Sequence, residues 1–242
     1  MKSADTPAAF QENEPQTQIS HGKAVLICYG FAQPAMPASS DIALMIGAYF
    51  LGGLSPGYWL VRWRAGIDVR ATGSGATGAS NVGRILGPKA YAAVLIVDLL
   101  KGALVGAASR AMGAPEIWAF AAALLVMAGH IWPIWLGFRG GKGVGPFIGA
   151  WLVLAPLALL PSLVLGLILL AWLRRVSLAG LCSLIVLPAA AWWTTGSRIP
   201  AAAACATISL LLWSHRANIR NFAAGRVQVP AAPPVGAPTN PH

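Results

Sequence analysis

Long apolar segments dominate this sequence and restrict it to a membrane-embedded fold. A helix needs about 20 residues to cross the hydrocarbon core of a bilayer, and several segments approach or exceed that length. Because 57% of the residues are apolar and only 10% are charged, the composition is not that of a soluble globular domain. We predict an all-α integral membrane protein with apolar segments at 42–61, 89–109, 117–138, 144–173, 178–195 and 199–214.

The basic residues predict how these segments cross the membrane, because Lys and Arg concentrate in cytoplasmic loops. Segment 144–173 would make a helix of about 45 Å, against a hydrocarbon core of about 30 Å. We expect it to break near Pro156 and Pro161, since proline removes a helical hydrogen bond. The result is about seven transmembrane helices, some short. Three polar, basic loops then share the cytoplasmic face and form one interfacial site: 62–89, 139–146 and 214–226.

The two ends differ from the middle in composition. Residues 1–40 are predicted to be a largely disordered N-terminal extension, because their first half is polar and rich in turn-forming residues. Acidic residues there argue against a signal peptide. Residues 41–226 form the membrane domain, and 227–242 form a disordered tail rich in Pro and Ala.

The net charge of +10 is explained by cytoplasmic loops rather than by nucleic-acid binding, since basic residues are not interleaved with aromatic ones. We therefore expect no nucleic-acid partner. Cys28, Cys182 and Cys205 lack the spacing of metal ligands, so neither a metal nor another cofactor is expected. The sequence leaves the oligomeric state open.

A glycine-rich loop with a lysine lies between two apolar segments, at Gly137–Gly143. Glycine lets backbone N–H groups approach a ligand closely, and lysine supplies a compact positive charge. The pattern suits a phosphate. It is not a nucleotide-binding P-loop, because no Ser or Thr follows the lysine. The predicted ligands in this loop are Lys142 and the backbone of Gly140, Gly141 and Gly143.

The first cytoplasmic loop is rich in hydroxyl and amide groups. Its segment Gly73–Gly78 matches the dinucleotide pattern G-x-G-x-x-G, but no strand precedes it, so a dinucleotide site is excluded. A flexible connector remains the simple alternative. We favour a folded loop that binds an anion through Ser74, Ser80, Asn81 and Arg84.

The third loop and two apolar segments add further ionisable groups. If residues near 215 continue a helix, His215 and Asn218 share one face, where they can bind a phosphate or handle a proton. Asp98 and Lys101 lie one helical turn apart inside the second apolar segment. Charges at that depth usually pair, so we predict a structural ion pair, and a structural or supporting role for His130.

These motifs, in this order, resemble the bacterial acyl-phosphate:glycerol-3-phosphate acyltransferases, the PlsY-type family. The resemblance extends from about residue 49 to residue 226. It rests on Gly-Ile-Asp-Val-Arg (66–70), Gly-Ser-Gly (73–75), Asn81 with Arg84, Asp98-Leu-Leu-Lys-Gly102, Gly129-His130, Gly-Phe-Arg-Gly-Gly-Lys-Gly-Val (137–144) and His215-Arg216-x-Asn218-Ile219.

The resemblance implies a seven-helix enzyme of the bacterial inner membrane, with its site facing the cytoplasm. It would transfer a fatty acyl group from acyl phosphate to glycerol 3-phosphate, beside membrane lipid and without a cofactor. Lys142, Ser74 and His215 would then be catalytic. The remaining predicted site residues would bind substrate: Ser80, Asn81, Arg84, Gly140, Gly141, Gly143 and Asn218.

Two positions depart from the family pattern. Ala76 stands where the family usually has Asn, and Gly145-Pro146 replaces Ala-Thr. Two alternatives therefore stay open: a diverged, non-catalytic homologue, and a transporter of a phosphorylated solute. Acyltransferases that use acyl-CoA are disfavoured, because neither His130 nor His215 is followed by Asp at the required spacing.

Overall fold

The computed structural model describes residues 36–224, and these fold entirely into helices and connecting turns. The first helix begins at Ser39, inside the predicted extension. The other predictions for the extension, up to residue 35, and for the tail beyond residue 224 lie outside the described residues.

The helices follow the predicted apolar segments. Short 3₁₀ turns at Val69–Ala71, Ile134–Leu136 and Leu184–Val186 connect some of them. In chain order the helices are α1 (Ser39–Gly53), α2 (Pro56–Ala65), α3 (Ala79–Leu86), α4 (Pro88–Ala111), α5 (Glu116–Ile131), α6 (Val144–Leu154), α7 (Pro156–Leu173), α8 (Val176–Ser183), α9 (Leu187–Thr195), α10 (Arg198–Ser214) and α11 (Arg216–Ala223).

The described residues contain five helical stretches long and apolar enough to cross a membrane. They comprise α1 with α2, α4, α5 with the following turn, α7, and α8 with α9. Helices α6 and α10 are apolar but shorter. The prediction of an all-α integral membrane protein is confirmed.

The predicted break in segment 144–173 is found at Pro156 and not at Pro161. Pro156 is the first residue of α7, where its missing N–H costs no helical bond. Pro161 lies inside α7, which continues through it. As a result α6 has only 11 residues, about 16 Å of helix.

A second break, at Leu54–Ser55, was not predicted from the sequence. It divides segment 42–61 into α1 and α2 and frees carbonyl groups that a continuous helix would use. The Nζ of Lys101 donates to the carbonyls of Gly52 and Leu54, each at 3.0 Å. The indole N–H of Trp135 donates to the intervening carbonyl of Gly53 at 2.7 Å. Side chains from α4 and the turn after α5 therefore stabilise the break.

Helix α5 lies at the centre and packs against α1, α4, α6 and α10. Small residues allow the closest approaches: a Cβ at Gly52 would collide with the Val126 carbonyl, and one at Gly129 would collide with the Tyr49 carbonyl. Close backbone contact of this kind is a common basis of helix association in membranes. The main buried apolar cluster joins α5, α6, α7, α9 and α10 through Met127, Phe147, Trp151, Leu159, Leu187 and Leu211.

The α1–α5 contact predicts that Gly52→Ala lowers thermal stability, because the added methyl forces two packed helices apart. Overpacking of this kind costs about 1–3 kcal/mol. Gly47→Ala, on the same helix, is the matched control, since a Cβ there meets nothing within 4 Å. Thermal unfolding of both variants in detergent tests the contact; equal melting temperatures would contradict it.

Candidate active site

The start of the first polar loop, residues 62–89, is fixed by an ion pair. The guanidinium of Arg70 binds Asp68 (Nη2–Oδ2 2.8 Å) and donates to the carbonyl of Leu136 at 2.7 Å. The hydrogen bond from Arg70 holds the pKa of Asp68 below its usual value. These contacts tie the first loop to the turn that precedes the glycine-rich loop, and they give Asp68 a structural role.

Asn81 organises the rest of this loop from inside. Its Nδ2 lies 2.9–3.1 Å from the carbonyls of Val69, Thr72 and Ala76, and its Oδ1 accepts from the backbone N–H of Ser74 at 3.1 Å. The side chain is buried. Both ends of the amide are engaged by the loop, and direct substrate binding by Asn81 stays a prediction. Asn81 shapes the loop that presents Ser74.

The glycines of the second loop serve close packing. The N–H of Gly140 donates to the Ile131 carbonyl at 3.0 Å, and that of Gly141 donates to the His130 carbonyl at 2.9 Å. A Cβ at Gly141 would collide with the His130 ring. Both N–H groups thus donate to backbone carbonyls, and the phosphate contacts expected of Gly140 and Gly141 stay a prediction. Gly140 also accepts from the N–H of Thr77 at 3.2 Å, which joins the first and second loops.

Lys142 lies next in the chain and is partly withdrawn from solvent. Burial, with a smaller contribution from the positive charge of Arg84, lowers the pKa of Lys142 to about 8. The backbone carbonyl of Lys142 accepts from the hydroxyl of Ser214 at 2.9 Å, which joins the second loop to the third. Among the described residues, no acidic side chain contributes to the pKa shift of Lys142.

His215 lies between α10 and α11 and is buried. Its Nδ1 is 2.8 Å from the carbonyl of Leu211, so Nδ1 carries the proton and Nε2 has a free lone pair. Burial, aided by the charge of Lys142, lowers the pKa of His215 to about 4. The imidazole is therefore neutral near pH 7 and accepts a hydrogen bond through Nε2.

Two adjoining cavities collect the predicted site residues. The first, about 440 Å³, is called here the lysine cavity; its polar lining includes Ser74, Lys142 and His215. The second, about 630 Å³, is the arginine cavity and is lined by Arg84 and Asn218 among others. The two share a wall formed by Ser80, Tyr91, Val176, Ser177 and Leu181.

Most predicted residues therefore meet at this pair of cavities, and a few do not. Gly143 and Asn81 join the lining of the lysine cavity, whereas Gly140 and Gly141 lie behind it, against His130. The two positions that depart from the family pattern lie in different parts of the structure. Ala76 lines the lysine cavity, whereas Pro146 lies at the α4–α6 contact, where its carbonyl faces Gly102.

Sequence reasoning missed several lining residues. Arg175, Ser177 and Asn221 line the arginine cavity. The available signal for Arg175 was an arginine between two apolar segments. The apolar wall of the lysine cavity was missed because it is assembled from distant helices; it includes Leu95, Phe147, Leu159, Leu163, Leu167, Leu170 and Leu184.

Among the described residues, no group of three or more His, Cys, Asp or Glu could hold a metal ion. The polar lining of the two cavities includes the cations Arg84, Lys142 and Arg175 together with hydroxyls and amides, which suit anionic ligands, and its one carboxylate, Asp98, is paired with Lys101.

Comparisons with known proteins agree with this geometry. The sequence model of the family described as glycerol-3-phosphate acyltransferase matches residues 42–225. A protein named glycerol-3-phosphate acyltransferase 1, from Desulfitobacterium hafniense (strain Y51), is 40% identical and covers 75% of this chain and 90% of its own length. A glycerol-3-phosphate acyltransferase from Geotalea daltonii is 35% identical, covering 79% of this chain and 98% of its own.

Solved structures give the same result. The crystal structure of PlsY (YgiH), an integral membrane glycerol 3-phosphate acyltransferase, in its glycerol 3-phosphate form, matches with a TM-score of 0.73 and 31% identity. The match covers 80% of this chain and 96% of that one. The lysophosphatidic acid form of PlsY matches with a TM-score of 0.69 and 29% identity over the same shares.

The environment of Lys142 predicts an amine that titrates near pH 8. Replacing Arg84 by Gln removes a repelling charge, which favours the ammonium and raises the pKa of Lys142. Competitive amine labelling across a pH series, read by mass spectrometry, measures both midpoints. Arg64→Gln, outside both cavities, is the control; an equal shift in both variants would contradict a specific effect of Arg84.

Proposed function

The chain belongs to the glycerol-3-phosphate acyltransferase family, and we propose that it transfers a fatty acyl group from acyl phosphate to the sn-1 hydroxyl of glycerol 3-phosphate. The products would be lysophosphatidic acid and phosphate. The observation that carries this proposal is the adjacency of the two cavities, because the reaction must bring two anionic substrates together, one of them with a long apolar chain.

The lysine cavity suits the acyl phosphate. Its polar part offers the Lys142 ammonium and the Ser74 hydroxyl for phosphate oxygens, and its remainder is lined by leucines of α7. A pocket with an apolar wall and a few convergent polar groups is the usual form of a small-molecule site. We assign the phosphate to Lys142 and the acyl chain to the leucine wall.

The arginine cavity suits glycerol 3-phosphate. Arg84 would hold the phosphate through a charge-assisted hydrogen bond, with Asn218 beside it, and Arg175 adds a second cation. Ser80, on the wall between the cavities, lies within the lining of both and can contact either substrate. The hydroxyl to be acylated would then face the lysine cavity.

The proposed reaction needs no covalent enzyme intermediate, because acyl phosphate is already activated. The acceptor hydroxyl oxygen bonds to the acyl carbon, the bond from that carbon to the phosphate oxygen breaks, and the hydroxyl proton goes to the leaving phosphate. Lys142 stabilises the charge that develops on the carbonyl and phosphate oxygens. The enzyme thus acts by positioning and charge neutralisation.

His215 fits this reaction as an acceptor that orients the attacking hydroxyl through Nε2. A pKa near 4 makes its imidazole a weak base. The leaving phosphate, whose second pKa is about 6 for a phosphate ester, is the stronger one. We therefore assign the proton to phosphate and an orienting role to His215.

We further propose that the protein resides in the bacterial inner membrane with both cavities facing the cytoplasm. The distribution of arginines supports this orientation, since the loops that carry Arg84, Lys142 and Arg175 converge on one side. Ala76, in the lysine cavity lining, is where a diverged homologue would differ in its donor.

Lys142→Ala should reduce kcat by about 100- to 1,000-fold, the usual loss when a donor to a developing oxyanion is removed. The assay is phosphate release from palmitoyl phosphate by purified protein, with and without glycerol 3-phosphate. Lys89→Ala, an exposed lysine outside both cavities, is the control. Near-normal turnover in Lys142→Ala would overturn the central assignment. Release that does not depend on the acceptor would indicate hydrolysis, and no release by folded wild-type protein would favour the non-catalytic or transport alternatives.

Arg84→Ala should raise KM for glycerol 3-phosphate by about 10- to 100-fold, the loss of one charge-assisted hydrogen bond. KM for the acyl phosphate should change little, because Arg84 lines only the arginine cavity. Steady-state kinetics with each substrate varied in turn makes this measurement. A change confined to the acyl donor would refute the assignment.

The value of kcat/KM should also fall as pH rises through about 8, because only the ammonium form of Lys142 binds the anion. The sign follows from a lowered lysine pKa: the active cation is present below that pH and lost above it. A rate profile between pH 7 and pH 10 measures the midpoint, and a flat profile would contradict the role of Lys142.

A further inference from the structure

A buried network lies directly behind the glycine-rich loop. The Nζ of Lys101 contacts an oxygen of Asp98 at 2.8 Å and the Nδ1 of His130 at 2.7 Å. It also donates to the two carbonyls at the end of α1. All three side chains are buried. Four acceptors thus surround an ammonium with three protons, and the lysine has no rotational freedom left.

This network fixes the orientation of the His130 ring. The Nδ1 of His130 lies 2.7 Å from the Nζ of Lys101 and 3.5 Å from the carboxylate of Asp98. With the ammonium as the donor to Nδ1, we assign the ring proton to Nε2. Nε2 is the atom that a Cβ on Gly141 would strike first. The carbonyl of His130 also holds the N–H of Gly141 at 2.9 Å. One residue therefore contacts Gly141 with both its backbone and its side chain.

Gly141 immediately precedes Lys142, which lines the lysine cavity. We propose that the Asp98–Lys101–His130 network is a positioning device. The His130 ring sets the distance between the network and the glycine-rich loop, and hence the position of Lys142. This inference rests on the proposed acyl transfer for its kinetic consequences, but its geometric consequence concerns the amine of Lys142 alone.

In this role His130 does more than fill space in the core. The ring lines the lysine cavity at its floor, beside Asp98, and has a charged partner on one side and the loop backbone on the other. A displacement of about 1 Å at a reacting group can cost about 100-fold in rate. The network would therefore act on turnover through the position of Lys142.

A compensating pair of substitutions tests this directly. Gly141→Ala should push the loop off the ring and lower kcat by about 100-fold. His130→Asn keeps an acceptor at the Nδ1 position for Lys101 but removes the Nε2 edge of the ring. The kcat of the double variant should therefore be at least about 10-fold higher than that of Gly141→Ala. A factor of this size corresponds to about the free energy of one ordinary hydrogen bond. Losses that multiply in the double variant would overturn the proposal.

A second pair keeps the test decisive if Gly141→Ala does not fold. The amide of Gln reaches the Nε2 position, whereas that of Asn does not, so His130→Gln should retain more kcat than His130→Asn. The reverse order would refute a spacing role. KM for glycerol 3-phosphate should stay unchanged in both, because neither alters the arginine cavity. Gly47→Ala is again the neutral control for folding and turnover.

Amine labelling of Lys142 separates this inference from the proposed function. The labelling midpoint should move in Gly141→Ala and return toward the wild-type value in the double variant, whether or not acyl transfer occurs. An unchanged midpoint in a folded Gly141→Ala protein would refute the positioning role. Absence of acyl transfer in the wild type would instead refute the proposed function and leave the labelling result standing.

Discussion

The buried ammonium of Lys101 is the interaction on which the rest of this fold depends. An ionisable residue at membrane depth costs about 2.5–3.5 kcal/mol on insertion scales, and this one is compensated by four acceptors from three helices. It closes the open end of α1, neutralises Asp98 on its own helix and orients His130 on α5. Removing Asp98 or Lys101 alone would leave the other charge unpaired where water does not compensate it.

The same interaction explains why the chain breaks where it does. A helix that continued through Leu54 would direct the Leu54 carbonyl to the N–H of Tyr58, and the ammonium would lose that acceptor. The Gly52 carbonyl has no such partner, because residue 56 is a proline. The break in turn places α2 and the polar loop that follows it close to the glycine-rich loop, which they contact through Arg70 and Thr77. A polar contact in the interior thus determines the arrangement at the surface.

The site itself is built for anions by leaving cations unneutralised. Lys142 is surrounded by hydroxyl groups, a neutral imidazole and a second cation, and no acidic group contributes to its pKa. Burial and the charge of Arg84 weaken its hold on the proton, and a bound anion would favour the ammonium form. The loops around it are held by backbone and amide contacts, which keeps the donors in place before any ligand arrives.

The sequence by itself determined the fold class, a break of segment 144–173 near its prolines, the pairing of Asp98 with Lys101, and the family, because apolar length, proline and buried charge each restrict the chain strongly. It could not determine which residues of the loops face the cavities and which hold the loops in place. Asn81 and Gly141 look like ligands in the sequence because amides and glycines bind phosphates. Only the tertiary structure shows that the loop carbonyls occupy Asn81 and that the His130 ring fills the space beside Gly141. Likewise, the leucine wall and Arg175 belong to the site only because helices far apart in sequence pack around one pair of cavities.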